Sequence, residues 1–180
     1  MQAIEVLKKY YDDKKETFHI LLTHSIAVAE KALKIAKEKR QLNLNSEFIE
    51  TAALLHDIGI FKTYAPKLGC YGNLPYICHG YLGREIVESE GLPVHALVCE
   101  RHVGAGIKIE DIVREKFPIP HRDMTPQSLE EKLICYADKF FSKKRDSLRT
   151  EIPLDRVMQI MASYGEDKLA YFNYLHSLFG

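Results

Sequence analysis

The apolar residues of this chain recur at helical spacing, and nowhere do they alternate with polar residues over a sustained run. The clearest instance is the segment 17–40, where Ile20, Leu21, His24, Ala27 and Val28 share one stripe of a 3.6-residue repeat. A half-buried strand requires two-residue alternation, so its absence predicts an all-α fold. A chain of 180 residues, 46% hydrophobic and 28% charged, is long enough to bury a real core and is not expected to be disordered.

Start and stop signals divide the chain further. Residues 2–12 read as a short amphipathic helix. Asn43 and Asn45 mark a turn, and Ser46 is the expected cap of a helix that buries Ala52, Ala53, Leu54 and Leu55, delivers His56 and Asp57, and stops at Gly59. Residues 60–75, rich in Gly, Pro and Tyr, read as a loop, either a plain connection or a pocket wall. A helix over 76–90 carries His79 beside Gly80 and Gly83, which would let another backbone come close. Pro93 opens a helix presenting Val98 and His102, and a short helix is expected at 110–116. Thr125-Pro126 is the expected start of a helix to about residue 142, with Ile134, Ala137, Asp138 and Phe141 on its apolar face. After Pro153 two helices, broken at Gly165, end the chain, and their Tyr, Phe and Leu residues suit core cover or the face of a homodimer. The expected organisation is a single domain over 1–180, with a core at about 18–145 and C-terminal helices at 153–179 packing on it.

Composition narrows the classes of function. The formal net charge of zero gives no general attraction to nucleic acid, so no specific nucleic-acid binding is expected. No run approaches the ~20 apolar residues of a membrane span, and the opening residues lack the apolar core of a signal peptide. A cytoplasmic protein without membrane association is expected. Cys70, Cys78, Cys99 and Cys135 contain no Cys-x-x-Cys pair and read as reduced packing thiols. His121-Arg122-Asp123 is not a kinase catalytic loop, because Ser128 stands where that loop needs Asn.

Six ligand-type residues fall on apolar helical faces: His24, His56, Asp57, His79, His102 and Asp138. Each alone suits a hydrogen-bonded core position. Together they form a set of four imidazoles and two carboxylates, donors that first-row divalent metals take readily. A carboxylate among apolar neighbours, as Asp138 is, costs several kcal/mol unless it is paired, protonated or bound to a cation. Lys139 and Lys143-Lys144-Arg145 add a basic edge that suits either a solvated face or a phosphate contact.

His24, His56-Asp57 and Asp138 resemble the pattern of HD-superfamily metal-dependent phosphohydrolases, and Leu55-His56-Asp57-Ile58-Gly59 is similar to the HDIG variant. Cys78-His79-Gly80-Tyr81-Leu82-Gly83, Arg101-His102-Val103-Gly104 and Tyr136-Ala137-Asp138-Lys139 resemble the two-metal branch that includes symmetrical dinucleoside tetraphosphate hydrolases. That branch commonly has a lysine three residues after the Asp of the pair. Ile60 stands there in this chain, and the nearest lysine is Lys62. The resemblance implies an HD-domain helical bundle with one metal on His24, His56, Asp57 and Asp138 and a second on His79 and His102, with Asp57 bridging. It implies Fe or Mn first, with Co, Ni or Zn compatible, and a metal-activated hydroxide acting on a nucleotide or similar small phosphorylated substrate. His56 and Asp57 are then the catalytic pair, and Lys62, Lys139 and Arg145 are candidates for holding the substrate's phosphate. A mixed-valent di-iron oxygenase on the same ligands, and a non-catalytic metal- or nucleotide-binding module, are the alternatives.

Overall fold

The computed structural model describes residues 2–180 and is built mainly of helices. Its helices are α1 (Gln2–Tyr10), α2 (Glu16–Glu38), α3 (Ser46–Leu55), α4 (His79–Ser89), α5 (Pro93–Arg101), α6 (Ile109–Glu115), α7 (Leu129–Asp138), α8 (Leu154–Tyr164) and α9 (Glu166–Phe179). The all-α expectation holds, with one small exception. Within the expected loop, β1 (Tyr64–Ala65) pairs antiparallel with β2 (Cys70–Tyr71), Tyr64 opposite Tyr71 and Ala65 opposite Cys70. Two residues per strand are too few to show alternation. Among the described residues no helix is long and apolar enough to cross a membrane.

Two apolar clusters build most of the core. One joins α2, α3, α7, α8 and α9 through Val28, Ala53, Leu133, Val157 and Phe172; the other joins α1, α2, α3, α4 and α5 through Leu7, Leu21, Leu55, Val87 and Cys99. Several helices pass from one cluster to the other. Along α2, Leu21 belongs to the second cluster and Val28 to the first, with His24 between them. Phe172, Leu175 and Phe179 of α9 are buried in the first cluster, whereas Tyr164 and Tyr174 are exposed. All four cysteines are free and buried.

Helix ends depart from expectation where side chains take over the backbone's hydrogen bonds. Asn45, not Ser46, caps α3, its side chain accepting from the amide of Phe48 at 3.0 Å. α7 begins at Leu129 rather than Thr125, because the Ser128 hydroxyl accepts from the Glu131 amide at 3.1 Å and the Glu131 carboxylate takes the Gln127 amide at 2.9 Å. It also stops earlier, at Asp138, and the Phe140 carbonyl accepts from the Ile152 amide instead of a helical partner.

α3 likewise ends at Leu55, before Gly59. The chain tightens into a 3₁₀ turn over Ile58–Lys62, and Gly59 serves there as a contact point. A Cβ on Gly59 would lie 2.2 Å from the His79 carbonyl oxygen and 2.5 Å from the Gly83 amide nitrogen, so only glycine lets α4 press against this turn. Gly80 repeats the device between α4 and α5: a Cβ there would meet Val103 Cγ2 at 2.7 Å and the Cys99 carbonyl at 3.0 Å. The close approach expected at Gly80 and Gly83 is therefore present, a Cβ on Gly83 lying 3.1 Å from Cys99 Cβ, whereas that at Gly59 is not expected from sequence.

Candidate metal centre

Each ligand-type side chain is delivered by a helix or by its end. His24 lies within α2, while His56 is the first residue past α3. Asp57 follows with φ −104° and ψ 7°, in the sparsely populated bridge region where active-site residues concentrate. His79 opens α4, His102 follows the last residue of α5, and Asp138 ends α7. All six are buried.

They form two overlapping groups. In His24, His56, Asp57 and Asp138, and again in Asp57, His79 and His102, one ligand atom from each residue lies within 4.8 Å of the others. Asp57 belongs to both. Its Oδ2 is 3.3 Å from His24 Nε2 and 3.1 Å from His56 Nε2; its Oδ1 is 3.5 Å from His79 Nε2 and 3.4 Å from His102 Nε2. Asp138 Oδ1 closes the first group, 3.1 Å from His24 Nε2 and 3.5 Å from His56 Nε2.

Three of the rings are held in the same way. Nδ1–H of His56, His79 and His102 donates to the backbone carbonyl three residues earlier, Ala53 at 2.6 Å, Tyr76 at 2.6 Å and Cys99 at 2.8 Å. This leaves the Nε2 lone pair facing inward, as metal-ligating histidines require. His56 Nε2 and Asp57 Oδ1 are buried without a hydrogen-bond partner, and Asp57 Oδ2 has the Lys143 ammonium 2.6 Å away. Orphaned polar atoms such as the first two each cost roughly 1–3 kcal/mol unless something satisfies them. A divalent cation on a mixed imidazole and carboxylate set does so, and the residues fit one.

Charge is divided unequally across the site. Burial opposes ionisation of Asp57, but His56 and Lys143 outweigh it and hold the carboxyl well below the usual range. Asp138 is also held low, against burial, by Lys139 and His24. Burial works against the His56 imidazolium, yet Asp57 and Asp138 raise its pKa to about 9. Burial dominates at His79, which drops to about 3, and at His102, which is also lowered.

A pH dependence follows for protein stripped of divalent ions. Below pH 6.5 the unfolded chain protonates its histidines, while folded His79 stays neutral and folded His102 takes up its proton at lower pH than in the unfolded chain, so the unfolded state binds more protons. His56 is charged in both states there and contributes nothing. Stability should therefore fall as the pH is lowered, by up to about 1.4 kcal/mol per pH unit from His79, with His102 acting in the same direction. Thermal melts after chelation, at pH 6.5 and about 5.5, check this, and an equal or higher midpoint at the lower pH would contradict it.

The expected phosphate-binding residues have different fates. Lys139 is nearly buried, donating to Asp138 Oδ2 at 2.7 Å and to the His102 carbonyl at 3.1 Å, so it braces the cage. Arg145 pairs with Glu16 at 2.9 Å on the surface. Lys62 is exposed, and neither it nor Arg145 lines the cavity that opens onto the site. Lys143, read from sequence only as part of a basic run, lies 2.6 Å from Asp57 Oδ2. It follows the end of α7, where helical phase no longer indicates direction.

The cavity has a volume of about 710 Å³ and is walled at one end by His79, His102, Asp138, Lys139 and Lys143. The 60–75 loop lines none of it; Tyr76 and Ile77, immediately after, do.

The model of the HD domain family matches residues 21–142. The chain belongs to the HD-domain family. An HD domain suits the buried His/Asp groups, since proteins of this family are generally metal-dependent phosphohydrolases. The chain is 32% identical over 148 residues to an uncharacterized protein of Methanocaldococcus jannaschii, covering 80% of this chain and 76% of that one. It is also similar to tRNA (cytidine(56)-2′-O)-methyltransferases. The one from Thermoplasma volcanium is 31% identical over 68% of this chain and 32% of its own length; the one from Picrophilus torridus is 30% identical over 77% and 39%. The chain thus spans about a third of the first methyltransferase and about two fifths of the second. No solved structure matches.

Proposed function

We propose that this HD-domain protein is a phosphohydrolase that holds two divalent ions, Fe or Mn first, and hydrolyses a nucleotide or similar small phosphorylated molecule. The shared carboxylate carries this reading: Asp57 faces His24 and His56 with one oxygen and His79 and His102 with the other. His24, His56, Asp57 and Asp138 would hold one ion, and His79, His102 and Asp57 the second. When bound, such ions supply hydroxide near neutral pH and stabilise charge on phosphoryl and leaving-group oxygens.

The chain's own residues do the rest. Backbone carbonyls aim three of the rings, Lys139 orients Asp138, and Lys143, on the cavity wall, is placed to donate to a phosphate oxygen. Lys139 and Lys143 favour an anionic substrate over the oxygen chemistry of a mixed-valent di-iron centre. Oxygen uptake coupled to turnover would reverse that choice.

Protein purified in Mn or Fe is expected to carry about two ions per chain by elemental analysis and to release phosphate from some member of a nucleotide panel. Chelation should abolish turnover and lower the melting temperature, because ions that bind only the folded state stabilise it, and adding the ions back should restore both. A fully loaded protein that turns over no phosphate compound would sink the hydrolase and leave a binding module.

A further inference from the structure

The charged groups that line the cavity fall into two sets, and the difference between them points to the substrate. One is the cage. The other is an ion-paired cluster on α6 and α9: Lys168 donates to the Gly106 carbonyl at 3.0 Å and to Asp111, Asp111 also takes Arg114 at 2.7 Å, and Arg114 donates to Glu115 at 2.8 Å. Asp167 lies 3.6 Å from Lys168, so two cations face three anions. Ile107, Phe117, Phe141, Ile152, Ile160 and Tyr164 make much of the remaining wall apolar. At the cage, Lys139 and Lys143 already match Asp57 and Asp138, so bound divalent ions would leave it strongly positive.

Part of this wall lies beyond the residues that the HD-domain family model matches. The family match ends at residue 142, whereas Ile152, Ile160, Met161, Tyr164 and Lys168 lie beyond it, on α8, α9 and the segment before them. Tyr164 is the last residue of α8, just before the turn at Gly165, whose φ of 140° suits glycine. Tyr164 is 61% exposed.

We propose, on the footing of the phosphohydrolase reading, that this cavity selects a monophosphate ester of an uncharged, ring-bearing alcohol of nucleoside size. The α8–α9 corner, with Tyr164 stacking on the ring, is the selecting element. A polyphosphate chain would have to run its charges along the apolar wall toward a cluster with no free cation. In the reaction, water oxygen bonds to phosphorus and the phosphorus–oxygen ester bond breaks. The proton lost by water ends on the leaving alkoxide, giving inorganic phosphate and the free alcohol.

The test uses full-length, Mn-loaded protein. AMP should have a kcat/KM at least about tenfold above those of ATP and diadenosine tetraphosphate, the scale expected of burying charge against an apolar wall. Equal or faster turnover of the polyphosphates would overturn the inference while leaving a phosphohydrolase; turnover of none would remove the reading beneath it. Tyr164→Ala should raise KM for AMP about tenfold relative to KM for glycerol 2-phosphate, which has no ring to stack. An equal change for both substrates would make Tyr164 structural and defeat its assigned role. The chain has no tryptophan, so Tyr164→Trp places a lone indole at this position. Its fluorescence should be quenched by unphosphorylated adenosine, independently of turnover, and an unresponsive indole would refute the stacking site.

Discussion

Asp57→Ala is expected to empty both halves of the metal centre at once and to lower phosphate release on the order of a thousandfold or more. No other ligand is shared: Oδ2 faces His24 and His56, and Oδ1 faces His79 and His102. Losing the side chain leaves two sets of imidazoles with no common anion and also strips Lys143 of its 2.6 Å counter-charge. His79→Ala, by contrast, removes a ligand from one group alone. Elemental analysis should find close to no bound metal in the first variant and about one ion per chain in the second. Asp57→Asn keeps the shape, and circular dichroism on it separates loss of metal from loss of fold. Two ions retained by Asp57→Ala would refute the bridging role.

Gly59→Ala is expected to cost about 3 kcal/mol or more, at or above the upper end for an added methyl group in a packed interior. The new carbon would meet the His79 carbonyl oxygen and the Gly83 amide nitrogen, main-chain atoms that cannot rotate aside as a side chain would. Relief requires α4 to retreat. His79 opens that helix, so the retreat draws its Nε2 away from Asp57 Oδ1, now 3.5 Å distant. The variant should therefore lose metal from the second group before the first. For a domain of this length the thermal midpoint should drop by roughly 6–12 °C. Guanidinium titration with parallel metal counts checks both effects, and a change below about 0.5 kcal/mol with two ions retained would falsify the close-packing account.

What sequence made legible follows from which interactions are local. The apolar stripe around His24 and the apolar run leading to His56 point those side chains inward whatever the rest of the chain does. That six such residues meet follows from the family resemblance; their convergence depends on how α2, α3, α4, α5 and α7 pack. Gly59 looks like a stop signal for α3, yet its missing side chain serves contact with α4, twenty or more residues away in sequence. Lys143 and Arg145 belong to one basic run that leaves α7 without helical phase, and only the fold sends one to Asp57 and the other to Glu16.

The rings of His56, His79 and His102 are each tethered to a carbonyl three positions back, within a four-residue stretch of main chain. Their aim thus depends on short stretches of backbone and not on the apolar side chains that wall the cavity. Ile152, Ile160 and Tyr164 can therefore change without turning these three rings, so the same reaction centre can be refitted to new substrates by altering the helices that follow it.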